Sequence, residues 1–242
     1  MNRWITNWHS PSLNKEMSVA VYGHYGFALL MIPTAAADYL EYERFGLVEA
    51  LRPFVEAGKV KLFSVDSINL ESWMNDQIEP RQKSLRHQQW NNYIHHEVVP
   101  FIRTHTSADT PVITCGASFG ALHSMNLFLK RPDLINGVIA MSGVYDLGYY
   151  SRGYMDDQVY FNSPLHYLPN LKDPKILDQL HLRKCLFLLS GRGPFEDPGQ
   201  ATRLAQVMDT KSIRYDLGIW GEEWPHDWLT WKSQLPHYIA QL

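Results

Sequence analysis

Short apolar runs alternate with longer segments of helical period along most of the chain. Eight of these runs predict β-strands: RWITNWHS (3–10), MSVAVYG (17–23), FALLMIP (27–33), VKLFSVD (60–66), VITCGAS (112–118), GVIAMSG (137–143), CLFLLSG (185–191) and IRYDLGIW (213–220). The first two flank a turn around Pro11 to Asn14, which predicts an antiparallel pair. The last six alternate with helical segments.

Between the strands, the apolar spacing changes to the 3.6-residue period of amphipathic helices. Helices are expected over Phe45 to Ala57, about 82–106, about 119–131, near 174–181, about 199–208, and at the end of the chain. Gly58 is suited to stop the first of them, and Pro100 is expected to kink or break the long one. A tyrosine-rich stretch over about 145–172 is predicted to be irregular.

This alternation calls for a mostly parallel sheet covered on both faces, with right-handed crossovers. An antiparallel pair leading into such a sheet is the element order of an α/β-hydrolase fold. The sequence therefore predicts an α/β protein with an eight-stranded, mostly parallel sheet flanked by helices on both faces. No repeat or Gly/Ser linker divides the 242 residues, so one domain over 1–242 is expected.

The amino-acid composition and charge limit the classes of binding partner and the cellular compartment that are expected. The formal net charge is -3 and neither sign forms a long run, so neither nucleic acid nor an anionic membrane is expected as the main partner. The N-terminal residues lack the apolar stretch of a secretory signal, and no segment is long enough to span a bilayer. Cys115 and Cys185 lie in strand-like runs and are expected to be buried thiols. A reducing cytoplasm fits this pattern best.

The stretch PVITCGASFGALHSM (111–125) carries the strongest chemical signal. Ser118 stands between Gly116 and Gly120, directly after a predicted strand and at the start of a predicted helix. In a nucleophile elbow, small residues at those two positions relieve crowding around a strained serine. The backbone N–H of Phe119 would then point at a developing oxyanion. The alternative is a structural glycine turn.

A serine hydroxyl needs a base to attack, and the base needs an orienting carboxylate. In this fold they follow in the order serine, acid, histidine. His226, in WGEEWPHDWLTW just after the last predicted strand, is the candidate base among 11 histidines. His24 precedes the serine, and His123 is expected to pack beneath the elbow. No His or Cys spacing typical of a metal site occurs, and no cofactor is expected.

The acid is expected after the seventh strand, where Glu196 and Asp197 stand together. Asp197 precedes a proline and a helical segment, so it has a competing role as a helix N-cap. Glu196 has no such competing role except solvation, and it is slightly favoured. The sequence leaves both open.

A second oxyanion donor is expected in the loop after the third strand, PTAAADY. The backbone N–H of Thr34 or Ala35 is the candidate, and an ordinary strand-to-helix connection is the alternative.

The chain resembles the esterase D and feruloyl esterase-like branch of the α/β-hydrolase superfamily over nearly its whole length. This branch also includes S-formylglutathione hydrolases, enterochelin esterases and mycolyltransferases. The segments that carry the resemblance are GASFG, MIPT, VDSINLESW, YFNSPLHYL and WPHDWLTW. The resemblance implies Ser118 as nucleophile, His226 as base and a carboxylate at Glu196 or Asp197.

Two features depart from that branch. Phe119 replaces the commoner methionine or leucine after the serine, which would narrow the acyl side of the site. The loop after the third strand lacks the glycine run found in many esterases.

Aromatic residues surround the predicted site. Trp224 stands close to His226, and Tyr149 lies in the stretch after the sixth strand, so both are candidate substrate contacts at the rim. Packing of these rings onto the sheet is the alternative. The stretch is too short for a large lid, which favours small, soluble esters over long-chain lipids.

Together these residues predict a serine carboxylesterase that forms an acyl-enzyme and releases it with water. An acyltransferase with the same triad, or a non-catalytic binding protein of this fold, are the alternatives. Activity is expected to fall as the pH drops through the range in which histidine is protonated.

Overall fold

The computed structural model describes all 242 residues, and its eight strands form a single sheet. The strands are Arg3–Ser10 (β1), Lys15–Tyr22 (β2), Phe27–Ile32 (β3), Val60–Val65 (β4), Val112–Ala117 (β5), Gly137–Met141 (β6), Cys185–Ser190 (β7) and Asp216–Ile219 (β8). Their order is β1-β2-β4-β3-β5-β6-β7-β8. Strand β2 runs antiparallel to β1 and β4, and all other neighbours are parallel. The predicted fold class is confirmed.

The helices cover both faces of this sheet. They are Glu41–Arg44 (α1), Leu47–Ala50 (α2), Arg52–Glu56 (α3), Pro80–Tyr93 (α4), Val99–Thr104 (α5), Phe119–Lys130 (α6), Asp157–Tyr160 (α7), Pro164–Tyr167 (α8), Pro174–Leu182 (α9), Pro198–Thr210 (α10) and Trp228–Ile239 (α11). Because side chains alternate along a strand, Leu30 of β3 packs into the core beneath α4, α6 and α10. Its neighbours Leu29 and Met31 pack into the second core, with α1–α3 and α11.

Two predicted helices differ from the structure. The segment expected as one helix over Phe45 to Ala57 forms two helices, α2 and α3, with a break at Leu51 just before Pro53, whose missing N–H cannot continue the helical hydrogen bonds. Gly46, with a left-handed φ of 78°, separates α2 from the preceding α1. The long helix starts at Pro80 and ends at Thr104, and it contains a π-helical turn over Ile94–Val98. This wider turn lies just before Pro100, whose missing N–H removes one regular helical hydrogen bond.

The carboxyl ends of β3, β5, β6 and β7 meet at one edge of the sheet because these strands are parallel and adjacent. The residues that follow them are Pro33, Ser118, Ser142 and Gly191. The sheet ladder continues into two of these ends, where the Ser118 N–H donates to the Met141 carbonyl at 2.9 Å and the Ser142 N–H to the Leu189 carbonyl at 2.7 Å. We call this the Ser118 edge.

Two further expectations concern burial and length. Cys115 and Cys185 are both buried free thiols, as predicted. No helix combines the length and apolar character needed to cross a bilayer.

Candidate active site

Ser118 lies in a strained turn between β5 and α6. Its backbone has φ 55° and ψ −121°, a conformation that L-residues with a side chain rarely adopt. Such strain persists only where the surroundings enforce it, and it is typical of functional positions. The geometry is that of the strand–turn–helix elbow that the sequence predicts.

The two glycines of the motif allow close backbone approach. A Cβ on Gly116 would lie 2.3 Å from the carbonyl of Gly120. A Cβ on Gly120 would lie 2.4 Å from the carbonyl oxygen of Ile32 and 2.6 Å from that of Pro33. Gly120 therefore lets the start of α6 pack directly against the end of β3, which brings the elbow beside the loop that holds Thr34 and Ala35.

His226 and Glu196 lie side by side. The Nδ1 atom of His226 is 3.7 Å from Oε2 of Glu196, an ion-pair distance that is longer than a direct hydrogen bond. The His226 side chain is about one-quarter exposed, whereas the Glu196 side chain is 1% exposed. A buried carboxylate next to one imidazole nitrogen is the arrangement that orients a catalytic histidine.

Two serines that the sequence analysis missed hold Glu196 in place. The Ser142 hydroxyl donates to Oε1 of Glu196 at 2.6 Å, and the Ser190 hydroxyl donates to Oε2 at 2.9 Å. The Trp231 indole in turn donates to the Ser142 hydroxyl at 2.9 Å. A repeated Ser-Gly pair at the ends of GVIAMSG and CLFLLSG is the sequence signal for these serines.

These contacts determine the charge of the carboxylate. Burial by itself raises the pKa of Glu196, but His226 and the hydroxyls of Ser142 and Ser190 outweigh burial and hold the pKa below its usual value. Glu196 is therefore ionised at neutral pH and able to stabilise a positive imidazolium.

Asp197 is not part of this cluster. Its side chain accepts the backbone N–H of Gly199 at 3.1 Å as the N-cap of α10, and it is 62% exposed. Phe195, directly before the two carboxylates, has a left-handed φ of 66°, and Asp197 has φ −125° and ψ 80°. Glu196 faces inward while Asp197 faces solvent.

The loops that hold Glu196 and His226 are joined by backbone hydrogen bonds. The Gly193 N–H donates to the Trp224 carbonyl at 3.0 Å, and the His226 N–H donates to the Pro194 carbonyl at 3.0 Å. A Cβ on Gly191 would lie 2.0 Å from the Trp224 carbonyl oxygen. Trp224 thus connects the two loops through its backbone, and its ring packs on Trp220 with centroids 4.7 Å apart.

The candidate oxyanion donors differ in availability. The Thr34 N–H is already bonded to Glu41 Oε2 at 2.8 Å, and the Thr34 hydroxyl also donates to Glu41. The backbone N–H groups of Ala35 and Phe119 donate to no protein atom. Ala35 packs against the small cluster that contains Phe119, so these two free donors belong to one neighbourhood.

Aromatic rings extend from the elbow to the surface. Phe119 is buried and packs edge-on against Tyr150 with centroids 4.8 Å apart. Tyr150 packs edge-on against Tyr149 at 5.4 Å, and Tyr149 is 89% exposed. Tyr149 therefore lies at the rim.

Comparison with known proteins identifies the family of the chain. Residues 46–242 match the model of the family described as "Putative esterase". The comparison with curated proteins gives no match.

Among solved structures, a ferulic acid esterase superposes with a TM-score of 0.74 at 15% identity, over 100% of this chain and 99% of that one. An S-formylglutathione hydrolase from Agrobacterium tumefaciens gives a TM-score of 0.73 at 14% identity, over 99% and 95%. A fluorophosphonate-binding serine hydrolase from Staphylococcus aureus gives 0.69 at 15% identity, over 99% and 97%. These similarities show the fold, and the family model shows the family. The chain belongs to this esterase family and has the α/β-hydrolase fold, and its enzyme class is that of the carboxylic ester hydrolases.

Proposed function

We propose that the protein is a serine carboxylesterase in which Ser118 is the nucleophile, His226 the base and Glu196 the acid. The observation that carries this proposal is the ionised, buried Glu196 beside Nδ1 of His226, at the same sheet edge as the strained Ser118. Asp197 has its own role as a helix cap, which leaves Glu196 as the acid.

In this mechanism Glu196 faces Nδ1 of His226, so Nε2 is the nitrogen that takes the Ser118 proton. The Ser118 oxygen attacks the ester carbonyl, and the negative charge collects on the carbonyl oxygen. The N–H groups of Phe119 and Ala35 are the proposed donors to that oxyanion. His226 then protonates the leaving alcohol, and a water activated by the same histidine hydrolyses the acyl-enzyme.

The proposed substrates are small, soluble esters. The bulky ring of Phe119, next to the nucleophile, is proposed to narrow the acyl side of the site. The stretch over 145–172 contains only short helical segments, which leaves no large lid. Tyr149 and Trp224 are the proposed aromatic contacts at the rim. The proposal favours acyl groups of a few carbons or a single aromatic ring over long acyl chains.

A fluorophosphonate probe tests the nucleophile directly. Wild-type protein is expected to be labelled at Ser118, and Ser118→Ala is expected to lose both the label and hydrolysis of p-nitrophenyl acetate. Ser142→Ala is the matched control, because it removes a serine hydroxyl at the neighbouring strand end and is expected to be labelled. Equal labelling of wild type and Ser118→Ala would reject this nucleophile.

A further inference from the structure

A chain of buried hydrogen bonds runs beneath the Ser118 edge and ends at the loop that holds the proposed second oxyanion donor. The Trp73 indole donates to Nδ1 of His87 at 3.0 Å, and Nε2 of His87 lies 3.0 Å from Nδ1 of His123. Nε2 of His123 lies 2.9 Å from Oδ1 of Asn69. The Asn69 amide then donates to the Thr34 carbonyl at 3.3 Å.

The direction of this chain is determined at its first member. An indole N–H can only donate, so Nδ1 of His87 must accept and, in a neutral ring, Nε2 of His87 carries the hydrogen. His123 therefore accepts at Nδ1 and donates at Nε2, which requires that Asn69 presents its oxygen to His123. The Asn69 amide NH₂ is consequently directed at Thr34, and every link pairs one donor with one acceptor.

Both histidines are neutral, as this direction requires. His87 and His123 are 0% and 2% exposed, and burial lowers the pKa of His123 to about 3. Burial also holds the pKa of His87 well below its usual value.

Buried polar chains cost desolvation energy, and apolar side chains of similar size fill a core without that cost. The chain therefore calls for a role beyond filling space.

The end point of the chain suggests that role. In a trans peptide, the carbonyl of one residue and the N–H of the next point in opposite directions, and the protein has no cis peptide. Asn69 holds the Thr34 carbonyl, so it also directs the Ala35 N–H away from Asn69. That N–H has no protein partner, and Ala35 packs in the cluster of Phe119, whose N–H is also free.

We propose that Asn69 is a positioning residue for the oxyanion hole, held in its orientation by His123, His87 and Trp73, and that it acts by fixing the Thr34–Ala35 peptide. This inference rests on the proposed esterase function and adds residues that do not touch substrate. Glu41 does not substitute for Asn69, because Glu41 binds the N–H and hydroxyl of Thr34 and so fixes the preceding peptide.

The sharpest variant is Asn69→Asp. A carboxylate at this position still accepts from His123 but cannot donate to the Thr34 carbonyl, so the peptide loses its restraint. Loss of a whole oxyanion donor costs on the order of 10²–10³ in kcat. A displaced donor is therefore expected to lower kcat for p-nitrophenyl acetate by roughly 10- to 100-fold, with KM changed by less than about threefold. Binding of an aryl trifluoromethyl ketone, whose adduct with serine carries an oxyanion, is expected to weaken by the same factor as kcat/KM.

Ser72→Ala is the matched control. Its buried hydroxyl donates to the Lys83 carbonyl at 2.8 Å, so this variant also loses one buried side-chain bond to a carbonyl, but away from Thr34. It is expected to lose stability without a change in kcat or in ketone affinity. Asn69→Ala, which leaves the Thr34 carbonyl without its donor, gives the same test if Asn69→Asp does not fold.

The outcomes separate the two proposals. Wild-type protein that neither reacts with fluorophosphonate nor cleaves esters rejects the esterase proposal itself. An active wild type together with folded Asn69 variants that keep kcat and ketone affinity within about threefold rejects the role of Asn69 alone. Equal losses in Ser72→Ala and in the Asn69 variants reject it as well, because the effect would then be structural.

Discussion

The two ends of the parallel strands differ in how they accommodate left-handed backbone. At the edge opposite the Ser118 edge, the loops contain Gly23, Gly26 and Gly58, with φ of 95°, 108° and 68°. At the Ser118 edge, positive φ angles occur at Ser118 and Ser142, with values of 55° and 51°. Glycine adopts these angles without strain, whereas serine does not.

The difference extends to the surrounding side chains. The glycine-containing edge encloses a cavity of about 500 Å³ lined by polar residues that include His24, His105 and Asp109, all of them exposed. At the Ser118 edge, His226 is half-buried and is paired with the Glu196 carboxylate, whose side chain is 1% exposed. Of the two serines with strained backbone, Ser142 binds Glu196 through its hydroxyl. Strained backbone is typical of functional positions, whereas a cavity with histidines is not by itself an active site.

The largest expected effect is the difference between histidine variants at the two edges. His226→Gln removes the proposed base and is expected to lower kcat/KM on the order of 10⁴-fold. His24→Gln, at the glycine-containing edge, is expected to leave kcat/KM unchanged. Steady-state hydrolysis of p-nitrophenyl acetate measures both, and a His226→Gln enzyme with near wild-type turnover would refute the proposed base.

Next in size is the difference between the adjacent carboxylates. Glu196→Gln is expected to lower kcat on the order of 10³-fold, because a neutral amide does not stabilise the imidazolium. Asp197→Asn is expected to change kcat less than twofold, since asparagine caps a helix as well as aspartate does. The reverse ranking of the two variants in kcat would assign the acid to Asp197.

A smaller effect is expected from the residues that support the site. Ser142→Ala removes one of the two hydroxyls that bind Glu196 and is expected to lower kcat about tenfold, a change of about 1.4 kcal/mol. Gly58→Ala introduces a Cβ that meets only ordinary contacts, but φ 68° remains unfavourable for alanine. It is expected to reduce the free energy of unfolding by about 1 kcal/mol without changing kcat. Denaturant unfolding and kinetics on both variants test this division.

The last expected effect concerns stability and not catalysis, and it is a slope of the free energy of unfolding with pH. Burial lowers the pKa of His123 to about 3, whereas a histidine in an unfolded chain titrates near ~6.5. Between these values the unfolded state binds a proton that the folded state does not, so the free energy of unfolding falls as the pH drops. The contribution of His123 is complete above pH ~6.5 and is lost towards pH 3 at no more than about 1.4 kcal/mol per pH unit.

His123→Asn is expected to make that slope shallower between pH 6 and pH 4. Asn69→Ala disturbs the same hydrogen-bonded chain without removing a titrating group, and it is expected to keep the wild-type slope. Denaturant unfolding at several pH values measures both. An unchanged slope in His123→Asn would mean that His123 does not titrate differently on folding.

The sequence by itself predicted the sheet, because strands buried on both faces appear as continuous apolar runs. CLFLLS and VITCGA are examples, and both are strands in which every residue is buried. It also predicted the elbow, since Gly116 and Gly120 flank Ser118 at a strand end. The break between α2 and α3 at Leu51 was missed because the apolar spacing typical of a helix continues through Pro53.

Only the tertiary structure decided which carboxylate faces His226 and which loop N–H is free. Glu196 and Asp197 are adjacent in sequence and chemically alike, but Glu196 is bound by the hydroxyls of Ser142 and Ser190, whereas Asp197 caps α10. Likewise, Glu41 accepts the Thr34 N–H and Asn69 donates to the Thr34 carbonyl, which leaves the N–H of Ala35 as the free one. The sequence pattern reports burial and local conformation, whereas the direction of a side chain or a peptide depends on distant hydrogen-bond partners that no local pattern encodes.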